Sequence, residues 1–199
     1  MANLHDTIPP ATIVTGLPRS GTSLTMAMLG AGGMKLITDN LRPPDADNPR
    51  GYFEDERVKR LDKDSDWLWE VGDAAIKIIS FQLPRLPDGF QCNVLHLMRP
   101  LEEILASQEK MVRRNGLHDT TSNSDLLPLY ERHRAQISAW MDAKSAIRHQ
   151  ILQYHDVINT PHRAARAIAD FLSRDLDIDS MVSVVDPKLY RHRLSPPSP

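Results

Sequence analysis

Residues 11–30 read ATIVTGLPRSGTSLTMAMLG, and the fold is decided there. Residues 11–17 are short, apolar and rich in β-branched side chains, the composition of a buried strand. The run stops at Pro18-Arg19-Ser20-Gly21. Residues 22–30 then place Leu24, Met28 and Leu29 at helical spacing, and Gly30, Gly32 and Gly33 end the pattern. A strand turning sharply into a helix presents backbone N–H groups at the positive end of the helix dipole, a cradle for an anion. Gly21 allows close backbone approach to a phosphate, Arg19 puts a cation inside the turn, and Ser20, Thr22 and Ser23 add hydroxyls. The nucleotide-triphosphate loop G-x-x-x-x-G-K-[ST] matches at Gly16 and Gly21 but has a lysine where Thr22 stands. Kinases and NTPases rely on that lysine and on magnesium, and no strand here ends in a Walker-B aspartate. The stretch predicts a phosphate ligand met by protein cations. A βα turn that binds nothing is the bland alternative.

Working outward, residues 38–51 hold three prolines and read as a loop too long for a simple connection, hence a candidate functional loop. Residues 54–69 are expected to form a charged helix with Val58, Leu61 and Trp67 or Leu68 as its apolar points. Residues 74–80 and 93–98 read as strands. Pro100 opens a helix carrying Leu101, Ile104, Leu105, Met111 and Val112. A long helix is expected over 125–147, a strand over 150–154, and a helix from Thr160-Pro161 that buries Ala164, Ile168, Phe171 and Leu172. Strands alternating with helices predict an α/β fold: a P-loop-type parallel sheet of about four to five strands with helices on both faces. No linker divides residues 1–199, which reads as a single domain.

The chain has 199 residues, 41% hydrophobic and 25% charged, enough for one core. A net charge of -2 and a pI near 6.4 give no global basic field, so no nucleic-acid partner is expected and any anion site must be local. Cys92 is the sole cysteine, so no internal disulfide is possible, as suits a reducing cytoplasm. Residues 1–10 lack the apolar core of a signal peptide, and no apolar run is long enough to span a bilayer. A cytoplasmic, soluble protein is the expectation. His133, His149, His155, His162 and His192 show no metal-ligand spacing, and no metal is expected. His96, alone in an apolar strand, reads as a core residue. Oligomeric state is not legible.

Pro18-Arg19-Ser20-Gly21-Thr22-Ser23 resembles the 5′-phosphosulfate loop P-[KR]-S-G-T-[TS] of the P-loop sulfotransferase family. A second match follows. That family's 3′-phosphate element is a strand ending in arginine with a serine eight residues later, and here strand 93–98 leads to Arg99 and then Ser107. An arginine at a strand end and a serine two turns up the next helix can face one phosphate. Gln153-Tyr154-His155-Asp156-Val157 with Pro161 is similar to the family's Y-E-D-L...P segment, which implies that Tyr154 lies by the nucleotide. Val185-Asp186-Pro187-Lys188-Leu189-Tyr190-Arg191-His192-Arg193 looks like the tail of small bacterial members and implies a binding role for Arg193. The donor so implied is 3′-phosphoadenosine 5′-phosphosulfate, the product adenosine 3′,5′-bisphosphate. The acceptor would be a hydroxyl or amine on a small molecule or polymer.

The chain departs from the cytosolic family pattern in three places. Leu24 replaces a tryptophan that stacks on adenine, the K-G-x-x-G-D-W segment is absent, and Lys77-Ile78-Ile79 keeps the second strand's lysine without its catalytic histidine. By resemblance, Lys77 would neutralise the sulfuryl group; alternatively it snorkels from a strand edge. Carbohydrate and tyrosylprotein members use a glutamate as base, which makes Glu54 and Asp39 the candidates. Glu54 can also be read as an acid complementing a helix dipole. Trp67 and Trp69 either wall an acceptor pocket or pack in a core. Two alternatives to a sulfotransferase stay open: a P-loop small-molecule kinase, and a nucleotide-binding module without catalysis.

Overall fold

A computed structural model of the chain describes residues 10–45, 48, 50–114 and 122–189. Strands β1 (Ala11–Gly16), β2 (Leu36–Ile37), β3 (Ala75–Lys77), β4 (Cys92–Met98) and β5 (Ile147–Gln153) form one parallel sheet in the order β2-β3-β1-β4-β5. Around it lie α1 (Thr22–Ala31), α2 (Leu101–Arg114), α3 (Asn123–Asp142), α4 (Tyr154–Asn159), α5 (Pro161–Leu172) and α6 (Ile178–Ser183). The expected α/β architecture is present, with five strands.

Strand β1 occupies the centre, and all six of its residues are buried. Its neighbours are in register: Ile13 lies opposite Ile76 of β3 and Val94 of β4. Side chains alternate between two cores. Ile13, Ile76 and Val94 join Leu68, Ile137 and Met141 on one face; Val14, Leu95 and Leu97 join Met28, Leu29, Ile168 and Leu172 on the other. A strand covered on both faces needs apolar side chains in both directions, which explains why residues 11–17 and 93–98 are mostly apolar instead of alternating. Strand order reverses at β1, with β3 on one side and β4 on the other. Such a reversal opens a crevice beyond the carboxyl ends of the strands. The segments after β1, β3 and β4 meet there.

Three local expectations are corrected. Residues 54–69 form no continuous helix but two 3-10 turns, Glu56–Arg60 and Asp66–Glu70. Asp55 caps the first by accepting from Arg57 N at 3.0 Å. The polar Lys63-Asp64-Ser65 stretch between the turns leaves no apolar stripe to hold a long helix, and short turns suffice to bury Val58, Leu61 and Leu68. The long helix ends at Asp142 rather than 147, because Ile147 pairs with Cys92 and opens β5. Strand β5 in turn ends at Gln153, so Tyr154 begins α4 instead of closing a strand. Among the described residues no helix is long and apolar enough to cross a membrane.

Candidate functional site

The loop between β1 and α1 takes its shape from two left-handed residues, Arg19 at φ 71° and Gly21 at φ 104°. Gly21 tolerates that conformation at little cost, and it has a second reason to be glycine: a Cβ there would come within 2.4 Å of the Tyr154 ring. Tyr154, at the start of α4, is buried and packs directly against the loop. The first backbone bond spanning the entry to α1 runs from Thr25 N to Gly21 O at 3.1 Å, so the amides of Thr22, Ser23 and Leu24 belong to the open first turn. No acidic side chain occupies that turn to offset the dipole. Ser20 is buried, and its hydroxyl has no hydrogen-bond partner among the described residues.

The second predicted cluster touches the first. Arg19 Nε donates to Ser107 Oγ at 3.0 Å, across 88 residues of sequence. Arg99 donates through NH1 to the Arg19 carbonyl at 3.0 Å, and its guanidinium lies over the Tyr154 ring, 4.5 Å from the centroid. Arg99 and Ser107 are both buried. Four residues expected at the nucleotide, drawn from β1–α1, β4–α2 and α4, therefore form one contact group.

A third group lies on the other side of the loop. Lys77, at the end of β3, is buried; its Nζ donates to Glu54 Oε1 at 3.1 Å, to Ser23 Oγ at 3.4 Å and to the Tyr52 carbonyl. Burial pushes the Lys77 ammonium below its ordinary pKa, and the neighbouring Glu54 carboxylate opposes that shift. The second oxygen of Glu54 lies 3.6 Å from Arg42, whose guanidinium covers the Tyr52 ring at 3.3 Å. Tyr52 in turn donates to Asp45 at 2.6 Å. A cleft of about 390 Å³ opens onto this group, lined by Arg19, Thr22, Ser23, Glu54, Lys77 and, at its apolar wall, Ile79 among others.

Asp39 is placed differently. Its carboxylate accepts from the amides of Leu41 and Glu56 at 2.9 and 2.7 Å, and it does not line the cleft. Both its oxygens hold backbone. Trp67 packs partly into a core under the Arg57 guanidinium, and Trp69 meets Phe90 edge-on; neither lines the cleft. Arg193 lies outside the described residues. No group of three or more His, Cys, Asp or Glu side chains is arranged to hold a metal among the described residues.

Sequence reasoning missed Arg42, Tyr52 and the buried Glu103, which pairs with Arg99 at 2.9 Å. Glu103 carried a usable signal, since it stands four residues after Arg99 at the head of a helix. Tyr52 gives Lys77 a carbonyl, which any residue would supply, so its identity at that contact left no signal.

Solved structures similar to this chain include sulfotransferases. The sulfotransferase domain of the Synechococcus PCC 7002 olefin synthase matches at a TM-score of 0.59 and 17% identity, over 95% of this chain and 90% of that one. The chain has the P-loop sulfotransferase fold. The sulfotransferase domain from the curacin biosynthetic pathway matches with a TM-score of 0.57 at 16% identity, over 96% of this chain and 93% of that one. Mouse sulfotransferase SULT7A1, solved in complex with PAP, matches with a TM-score of 0.55 at 14% identity, over 89% of this chain but only 63% of its own. No family model and no curated protein sequence matches the chain.

Proposed function

We propose that this protein is a sulfotransferase that moves a sulfuryl group from 3′-phosphoadenosine 5′-phosphosulfate to an acceptor hydroxyl or amine. The observation that carries the reading is the 3.0 Å contact between Arg19 and Ser107. It joins the loop that resembles a 5′-phosphosulfate site to the element that resembles a 3′-phosphate site, as one nucleotide held at both ends requires. The residues present fit such a ligand. Ser20 offers a buried hydroxyl without a partner among the described residues, the first turn of α1 offers amides, and Arg19 stands between Arg99, which donates to its carbonyl, and the cleft that Lys77 lines.

The donor supplies an activated sulfuryl group on a phosphate leaving group. Arg19 and the loop amides would bind and stabilise the phosphate as negative charge builds on it. Lys77, held by Glu54 and Ser23 at the cleft wall, would face the sulfuryl oxygens with its ammonium. Glu54, half-buried beside Lys77, would accept the proton that the acceptor loses as its new bond to sulfur forms. In this reading Asp39 is a backbone cap, and Arg193 stays a proposed binding residue on resemblance alone. The whole of residues 1–199 is taken as one catalytic domain working in a reducing compartment, where the buried Cys92 stays a thiol.

The test is a pair of measurements on the purified chain. Adenosine 3′,5′-bisphosphate should raise the melting temperature, whereas ATP with magnesium should leave it nearly unchanged. Labelled sulfuryl should then pass from donor to a member of a hydroxyl and amine acceptor panel. Stabilisation by ATP alone would replace this reading with a kinase. Bisphosphate binding without any transfer across the panel would leave a nucleotide-binding module.

A further inference from the structure

Glu103 is among the most deeply buried ionisable side chains described, only 1% exposed, and no step proposed so far uses it. A carboxylate so placed loses its hydration at a large cost unless it is closely paired. It is. One oxygen accepts from Arg99 Nε at 2.9 Å, and the other lies 3.1 Å from His155 Nε2 on α4. Both partners also stand at the nucleotide end of the sheet. Arg99 follows β4, and His155 follows Tyr154, whose ring lies under the Arg99 guanidinium. Glu103 sits in the first turn of α2, where the helix dipole favours negative charge, so the carboxylate is held from three sides.

The consequence falls on Arg99. A guanidinium on a flexible side chain can present its planar fork in many orientations, and binding a phosphate through it is efficient only when one is fixed beforehand. Here the Nε edge is pinned by Glu103, NH1 reaches the Arg19 carbonyl, and the ring of Tyr154 fixes the plane. We infer that Glu103 is a positioning residue: held by His155, it sets the Arg99 guanidinium in the orientation that recognises the nucleotide's 3′-phosphate. This rests on the sulfotransferase reading of the site and adds to it a residue that does not itself touch the ligand.

The test compares two ligands that differ in one phosphate. Affinities of adenosine 3′,5′-bisphosphate and adenosine 5′-monophosphate are measured by calorimetry on the wild-type chain, Glu103→Gln, Arg99→Lys and the double variant. Wild type should prefer the bisphosphate. Glu103→Gln should lower that preference about tenfold while leaving the monophosphate affinity nearly unchanged. In the Arg99→Lys background the same change should have little further effect, because Glu103 acts through Arg99. A wild type with no preference for the bisphosphate would overturn the site reading itself. A wild type that discriminates, beside a Glu103→Gln variant that discriminates equally well or loses both ligands in proportion, would overturn the positioning role alone. If the glutamine variant does not fold, Glu103→Asp, which keeps the charge and withdraws it by one methylene, is read by the same ratio with the same expectation.

Discussion

Lys77 and Glu54 can be separated from the proposed nucleotide-binding residues because they stand across the β1–α1 loop from Arg99. Lys77→Ala and Glu54→Gln should each lower turnover by about two to three orders of magnitude while bisphosphate affinity changes little. Parallel loss of affinity and turnover would place both residues in ligand binding instead. Asp39→Asn provides the contrast: it should lower stability modestly by weakening two amide contacts, and turnover per folded molecule should hold. His96 makes a prediction of a different kind. Burial, then the nearby Arg134, His149 and His133, lowers its pKa from 6.5 to about 4. The folded chain therefore binds fewer protons at His96 than the unfolded chain below pH 6.5. Above that value His96 costs nothing; as pH falls towards 4 it withdraws stability, by about 3 kcal/mol at most. His96→Leu should narrow the gap between melting temperatures at pH 7.5 and pH 4.5. An unchanged gap would mean the imidazole is not buried neutral.

At the level of elements, the β1–α1 turn is where local strain and tertiary packing coincide. Gly21→Ala puts a Cβ at φ 104° and against the Tyr154 ring. The expected cost is about 1–3 kcal/mol in urea unfolding, with weaker bisphosphate binding. Adding Tyr154→Ala should recover the steric part and not the backbone part. A Gly21→Ala protein as stable as wild type would show that the loop has another shape. This turn was legible in the sequence because its residues are set by backbone needs: a glycine at positive φ, hydroxyls at a helix start and an apolar strand before it. Arg99 and Ser107 were legible through the family resemblance, with which a strand end and two helical turns between them agree. Other elements were blurred or hidden by weak patterning, β5 in its bounds and the rest altogether. Strand β5 reads IRHQILQ, and as an edge strand it buries only Leu152, so neither an apolar run nor a clean alternation marks it. Strand β2 has two residues. Helices α4 and α6 have six each, fewer than two full turns, and give no period to count. The 54–69 segment misled because charged residues with good helix propensity outnumber the apolar ones that tertiary burial then organised into short turns.

Across the whole molecule, the sheet order β2-β3-β1-β4-β5 brings the three chemically loaded segments together. The loop after β1 carries Arg19, the end of β3 carries Lys77, and the segment after β4 carries Arg99 with Ser107 above it. They are scattered over residues 19–107 in sequence, yet strand order alone makes their termini neighbours. The Lys77–Glu54 ion pair was harder to read because Glu54 reaches Lys77 from a loop whose path no strand or helix dictates. This arrangement sets where a bound nucleotide should be felt. A ligand that binds only the folded state adds stability by mass action, about 2.7 kcal/mol at a hundred times its Kd. The local share should follow contact with the crevice. Hydrogen exchange in saturating adenosine 3′,5′-bisphosphate should slow most at residues 17–25 and 99–107. Helices α5 and α6 share a core with Met28 and Leu29 of α1, around Ile168, Leu172 and Met181, and line no part of the cleft, so they should gain only the protection that global stabilisation confers. Protection concentrated in α5 and α6, with the β1–α1 loop unchanged, would put the ligand elsewhere and separate the fold of this chain from the site that its sequence suggests.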